Sequence, residues 1–235
     1  MKYRVLVVDD DQEIVRAIQI YLEKEDYEIL TAYNGEQALQ ILEKEEVHLI
    51  LLDLMMPVMD GMSALQRIRR ERSIPVIIIS AKAEDMDKIV GLDHGADDYV
   101  TKPFNPLELV ARVKSQLRRY TEYLNISAGQ AKEMIFRQGG LVLDNEQKKV
   151  YVDQELVQLT PIEYRILHLL LKNPGKVFSS EELYEQVWEE ESIGSVQTVA
   201  VHIRHIREKI EINPKEPRYL KVVWGLGYMI EPQRN

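Results

Sequence analysis

Leu49-Ile50-Leu51-Leu52-Asp53 is apolar at four successive positions and then stops on a carboxylate. Apolar residues without alternation suit a strand buried on both faces, as in a parallel sheet covered by helices. Val76–Ile79, ending on Ser80, repeats the pattern. Outward from these lie Val5–Val8, Ile29–Ala32 and, more weakly, Tyr99–Val100. Helical stripes fall between and after them. Ile14, Ile18 and Leu22 make the first, Ala38, Leu39 and Leu42 the second, and Met62, Leu65 and Ile68 the third. Ile89 and Leu92 make a shorter fourth, and Leu109, Val113 and Leu117 a fifth. This alternation predicts an α/β domain over residues 1–120, a five-stranded doubly wound parallel sheet with helices on both faces.

The 235 residues fit one large domain or two small ones, and 45% apolar content is enough for a core. The absence of cysteine excludes disulfides, a thiol nucleophile and a Cys-based zinc site. No apolar run approaches ~18 residues, so no membrane span is expected. The start is too short for a signal peptide, and the chain reads as soluble and cytoplasmic. Net charge is −9 but uneven: residues 192–235 hold 7 Lys/Arg against 4 Asp/Glu. A basic last fifth on an acidic chain fits either a solvated face or a polyanion-binding surface.

Residues 121–136 are mixed polar without a stripe and read as a linker. Beyond them the pattern changes over residues 137–235. Leu141–Leu143, Val150–Val152 and Leu156–Leu159 are short strand-like runs. Thr160-Pro161-Ile162-Glu163 opens a helix, with Thr as cap and Glu three residues later. A second helix, capped by Ser180, runs to Trp188, and a third covers about Val196–Ile210. Tyr219–Val223, a turn at Gly225–Gly227, and Tyr228–Ile230 close the chain as a hairpin. Strands, three helices and a terminal hairpin predict an α+β winged helix-turn-helix.

Polar residues stand where the strands end. Asp9, Asp10 and Asp11 follow the first, Asp53 ends the third, Ser80 the fourth, and Lys102 follows the fifth. Open α/β sheets bind ligands outside the carboxyl ends of their strands. Crowded carboxylates repel, so an oxygen-only cluster favours a hard cation such as Mg²⁺. An ammonium and a hydroxyl beside it suit a phosphoryl group, whose transfer spreads charge over three oxygens.

These residues carry a resemblance. Val7 through Asp11, Leu52 through Pro57 with Asp60-Gly61, Ser80-Ala81, Gly95 through Tyr99 and Lys102-Pro103-Phe104 resemble the flavodoxin-like receiver domain of two-component response regulators. The resemblance implies that Asp53 accepts a phosphoryl group from a sensor histidine kinase. It implies that Asp10 and Asp53 bind Mg²⁺ directly, Asp9 through water, and Met55 through its backbone carbonyl. By the same resemblance, Ser80 and Lys102 would hold the phosphoryl oxygens, and Tyr99 would fill the space that Ser80 vacates on switching.

The C-terminal half resembles the winged-helix effector of the OmpR/PhoB family. Leu159 through Tyr164, Leu183 with Val187-Trp188, Thr198-Val199, Val201 through Arg204, and Trp224 through Tyr228 carry it. His202-Ile203-Arg204-His205 and Val223-Trp224-Gly225 are similar to the VanR-type subgroup of glycopeptide-resistance regulators. On a helical wheel, Val199, Ile203, Ile206 and Ile210 form the apolar stripe of the third helix. Gln197, Val201, Arg204, His205 and Glu208 fall opposite, flanked by Thr198, His202 and Arg207, a set suited to the DNA major groove. Many relatives place an Arg where this chain has Trp224, so Arg218 and Lys221 are expected to supply wing phosphate contacts.

The resemblance also implies a homodimer formed on phosphorylation. Its rim would pair Lys88 with Glu108, Asp98 with Arg112 and Asp97 with Arg119 across a two-fold axis, around Ile89, Leu92 and Ala111. The expected partners are the kinase, promoter DNA and RNA polymerase, with no membrane. Beyond slow loss of its own phosphoryl group, no enzyme activity is expected. Two rivals stand beside this reading. One is a Mg²⁺-dependent phosphohydrolase with Asp53 as nucleophile, though such enzymes commonly place an acid where Met55 stands. The other is a phosphorylated adaptor that binds protein or RNA, which a mobility shift with duplex DNA would separate.

Overall fold

Helix caps and strand-end polar residues set the boundaries of the first half. The computed structural model describes residues 2–81, 91, 94–125, 135–189 and 196–232. Strand β1 (Arg4–Val8) leads to helix α1 (Gln12–Glu23). Asp11 starts that helix by accepting from the backbone N–H groups of Glu13 and Ile14 at 2.9 and 3.4 Å, donors that a helix start otherwise leaves open. β2 (Glu28–Ala32), α2 (Gly35–Lys44), β3 (Leu49–Leu52), α3 (Gly61–Glu71), β4 (Val76–Ser80), β5 (Asp98–Thr101) and α4 (Pro106–Asn125) follow.

The five strands are parallel, in the order β2-β1-β3-β4-β5. This is the predicted doubly wound sheet, and strand order reverses between β1 and β3, where such sheets open a crevice. Leu49 to Leu52 are wholly buried. On one face Val5, Val7, Leu49 and Leu51 share a core with Val15 and Ile18 of α1 and Leu109 and Val113 of α4. The stripe at Ile89 and Leu92, with Lys88, lies outside the described residues.

The second half begins with an antiparallel sheet, β6 (Ile135–Gln138), β7 (Leu141–Asp144), β8 (Lys149–Val152) and β9 (Glu155–Val157), in that order. Helices α5 (Pro161–Lys172), α6 (Ser180–Trp188) and α7 (Val196–Ile210) follow, then the hairpin of β10 (Leu220–Val223) and β11 (Gly227–Ile230). Leu167, Leu170, Leu183, Trp188, Val199, Ile203 and Ile206 lie in the core that joins the three helices. The expected capping box is present, with Thr160 and Glu163 bonding each other's backbone N–H at 2.8 and 3.4 Å. The next helix differs by one residue: Ser179, not Ser180, is its cap, because Ser179 pairs reciprocally with Glu182.

The chain divides into two compact units, Met1–Tyr120 and Thr121–Asn235. The expected linker, 121–136, is entered by structure from both ends. α4 continues to Asn125 and β6 starts at Ile135. No Gly or Pro interrupts residues 107–128, so nothing in the sequence breaks the helix at 120.

Candidate functional site

The strand ends bring Asp9 and Lys102 together across 93 positions of sequence, with Asp53 on the other side of the ammonium. The Asp53 backbone N–H donates to Val8 O at 2.8 Å, tying the end of β3 to the end of β1. Asp53 Oδ1 accepts from the Leu54 N–H at 2.8 Å. Asp9 Oδ1 accepts from the Asp11 N–H at 3.0 Å, and Asp9 Oδ2 accepts from Lys102 Nζ at 2.6 Å. Lys102 Nζ also stands 3.2 Å from Asp53 Oδ2. The Lys102 backbone N–H donates to Ser80 O at 2.8 Å, so the end of β4 places the lysine.

Asp9 and Asp53 are buried and Asp10 is exposed, yet carboxylate oxygens from all three lie within 4.8 Å of one another. Burial holds the Asp9 carboxyl above its ordinary pKa, against the opposing hydrogen bond from Lys102. Burial also works against the Lys102 ammonium, but the Asp9 hydrogen bond and the nearby carboxylate charges outweigh it and raise its pKa. One ammonium therefore does not relieve the cluster. When ionised, three carboxylates and one ammonium leave two negative charges, and the donor set is all oxygen. That fits a hard divalent cation. Ser80 is fully buried, Tyr99 is half-buried opposite Ile78 on β4, and the Met55 side chain is exposed.

The loop after Asp53 is held by a contact that only glycine permits. The Gly61 N–H donates to Leu54 O at 3.1 Å. A Cβ at Gly61 would sit 1.9 Å from Asp53 O and 2.8 Å from its carbonyl carbon. Asp60 caps α3 by accepting from the Ser63 N–H at 2.7 Å, and that bond lowers its carboxyl pKa.

The face of α7 differs from the helical-wheel expectation. Val201, His202 and His205, turned outward on the wheel, are buried. The exposed positions are Gln197, Ala200, Arg204, Glu208 and Lys209, with Thr198 and Arg207 half-buried. The apolar stripe lies where its period predicts, but neighbouring elements cover both its flanks. The His202 ring stands 5.5 Å from the Trp188 ring of α6. His205 Nδ1 lies 3.8 Å from Glu163 Oε1 of α5, whose other oxygen accepts from Lys209 Nζ at 2.6 Å. A wheel that counts histidine as polar cannot register this; the signal available was Glu163 itself, a capping carboxylate facing the core and in need of basic partners.

The hairpin is clamped to the end of α7. Arg207 Nε donates to Leu220 O at 3.0 Å. The buried Glu211 carboxylate accepts from the backbone N–H groups of Arg218, Tyr219 and Leu220 at 2.6 to 2.9 Å. The sequence reading missed Glu211. Arg218 is exposed and Lys221 half-buried, with Lys221 Nζ 3.3 Å from Glu231.

The expected dimer rim is partly consumed within one chain. Asp97 is wholly buried, accepting from Arg69 Nη2 at 2.7 Å and the Val76 N–H at 2.8 Å. Arg119 is also buried and donates to Ser115 Oγ at 2.6 Å, so no surface pair of Asp97 with Arg119 forms. Arg112 reaches Asp98 at 3.0 Å and Glu108 at 3.0 Å within the same chain, because all three converge where α4 crosses β5. Ala111 is exposed.

Comparison with known proteins matches both halves. Residues 5–114 match the response regulator receiver domain, and residues 153–230 match the C-terminal domain of transcriptional regulatory proteins. The chain belongs to the response-regulator family and carries a receiver followed by an OmpR/PhoB-type DNA-binding domain. It is a transcription regulator, not a classical enzyme. Regulatory protein VanRc of Enterococcus gallinarum is 45% identical, covering 98% of this chain and 100% of its own length. VanR of Enterococcus faecium is 41% identical over the same shares. Among solved structures, the OmpR/PhoB homologue DrrB of Thermotoga maritima is 34% identical with TM-score 0.51, covering 98% of this chain and all of its own. A RitR mutant with a cysteine-to-serine substitution is 26% identical with TM-score 0.79, covering 98% of this chain and 99% of its own. Among the described residues, no helix is long and apolar enough to cross a membrane.

Proposed function

We propose that Asp53 accepts a phosphoryl group from a sensor histidine kinase and that the modified chain dimerises and binds promoter DNA. One observation carries this reading: Lys102 Nζ lies between Asp9 Oδ2 and Asp53 Oδ2, at 2.6 and 3.2 Å, in a cluster with charge to spare for a divalent cation. Asp10 and Asp53 would hold Mg²⁺, with Asp9 acting through water and Met55 lending its backbone carbonyl. When bound, the ion offsets the charge of the incoming phosphoryl group. An ionised Asp53 oxygen forms the new P–O bond as the donor's P–N bond breaks. Lys102 moves its charge from Asp53 onto a phosphoryl oxygen, and Ser80 donates to another. Tyr99 follows Ser80 inward, which gives the packing two discrete arrangements. Duplex DNA would meet the exposed face of α7, and the dimer would use α4 around Ala111. RNA polymerase is a further partner at the promoter. The test is genome-wide footprinting of the wild type against Asp53→Ala: phosphorylation-dependent protection in the wild type alone supports the reading, and identical footprints overturn it.

Arg204 is the charged residue best placed to read a base. Its guanidinium pairs with Glu208 on the same surface, at 2.9 Å, an exposed pair that contributes ~0–1 kcal/mol. Arg204→Ala should leave stability near wild type, weaken DNA binding by about 1–3 kcal/mol and relax preference at one base pair per half-site. Unchanged affinity and salt slope in a binding titration would remove Arg204 from the interface.

Loss of the phosphoryl group should be slow. Its hydrolysis needs an in-line water, and the exposed Met55, two residues after the acceptor, offers only a weakly accepting sulfur. Lys82, the other side chain expected near that path, lies outside the described residues. Met55→Asn should speed the decay about tenfold, ~1.4 kcal/mol of barrier. Decay of labelled protein in Mg²⁺ buffer without kinase measures this, and equal rates would show that water is positioned by other groups.

A further inference from the structure

Behind the outward face of α7, the second half of the chain holds a group of side chains that a DNA contact does not use. One ring nitrogen each of His202 and His205 and one carboxylate oxygen of Glu163 lie within 4.8 Å of one another. All three residues are buried, Glu163 and His202 at 1% exposure and His205 at 6%. The histidines stand three positions apart on α7, so both rings fall on one side of it. Their centroids are 6.5 Å apart and their planes meet at 85°. Glu163 reaches them from the first turn of α5.

The two oxygens of Glu163 are unequal. Oε2 accepts from the Thr160 N–H at 2.8 Å and from Lys209 Nζ at 2.6 Å. Oε1 is buried and accepts no hydrogen bond from a described residue. A carboxylate oxygen left in that state is costly. His205 Nδ1 is 3.8 Å away, too far for a hydrogen bond. An ion with bonds of about 2.0–2.2 Å to nitrogen and oxygen fits between atoms at that separation.

We infer that Glu163, His202 and His205 form a binding site for Zn²⁺ that pins α7 to α5. Two imidazoles and a carboxylate suit zinc, whereas Mg²⁺ takes oxygen ligands and is directed to the acidic pocket of the first half. A fourth position is left for water. Lys209 stands at the solvent side, its side chain 36% exposed. It can turn outward and release Glu163 as the ion enters, so one cation replaces another beside the carboxylate. All three ligands lie within the second compact unit, so ion binding does not wait on Asp53.

The test uses the full-length protein in excess Mg²⁺, with Zn²⁺ as the probe. Equilibrium dialysis should leave one zinc ion per chain. His205→Asn should weaken its binding by at least the roughly tenfold lost when an outer partner of a metal ligand is removed. With free zinc about a hundredfold above its dissociation constant, the unfolding midpoint of the second half should rise by roughly 10 °C. In nitrogen NMR of the unaltered protein, the ring signals of His202 and His205 should shift with zinc while those of His48, His94 and His168 stay in place. That readout stands even where His205→Asn fails to fold. No retained zinc, wild-type affinity in a folded His205→Asn, or zinc that moves other rings but not these two overturns the site.

Discussion

Asp53→Ala should take up no phosphoryl label from acetyl phosphate or from a kinase. Neither of the other pocket acids is placed to substitute. Asp9 is buried, with one oxygen on Lys102 Nζ at 2.6 Å and the other on the Asp11 N–H at 3.0 Å. Asp10 is exposed, and the Lys102 ammonium is directed at Asp9 and Asp53 instead. The substitution also removes one of three crowded carboxylates, which offsets the lost hydrogen bond to the Leu54 N–H. Unfolding should therefore stay close to wild type, and loss of label cannot be put down to loss of fold. Mass spectrometry of the intact protein reads the result. A stoichiometric phosphoryl group on the variant would move the acceptor to Asp9 or Asp10.

Gly61→Ala should damage the same pocket from behind. The added methyl would fall 1.9 Å from Asp53 O, which is main chain and not the end of a flexible side chain. Either the Asp53–Leu54 peptide moves or the first turn of α3 does. The first displaces the acceptor from Lys102, and the second strains the Asp60 cap. Overpacking of this kind costs about 1–3 kcal/mol, more where backbone must shift. Thermal unfolding should show that loss, and labelling of Asp53 should slow. Wild-type stability together with a wild-type labelling rate would show that the loop yields without penalty.

The pocket was legible in the sequence because Asp9, Asp53 and Ser80 each close an unbroken apolar run, while Lys102 follows the weaker run Tyr99–Val100 one residue later. In a parallel sheet all such ends come to one edge, so Asp9, Asp53, Ser80 and Lys102 are neighbours by topology alone. The dimer rim was not legible in the same way. Asp97 and Arg69 lie 28 positions apart, and no spacing rule shows that a charged residue is buried against a partner on another element. Arg112 was legible as a charge but not as one already bonded to Asp98. On α7 the apolar stripe was readable from its period, while the burial of His202 and His205 depends on Glu163 and Trp188, which belong to other helices. The continuation of α4 to Asn125 was missed although Leu117, Tyr120 and Leu124 carry the stripe onward at helical spacing, because charged and polar residues surround them.

The Glu163 knot has a consequence for transplanting DNA specificity between regulators. Glu163 caps one helix while holding Lys209 and facing His205 on another. α7 thus carries two separate sets of positions. Residues 202, 205 and 209 belong to the scaffold and are matched to Glu163, whereas 197, 200, 204 and 208 face outward and answer only to what they touch. A graft that exchanges just the outward four should change the preferred operator and leave the domain folded. Exchanging the whole helix would import a new lock without the key it was cut for, unless residue 163 travels with it.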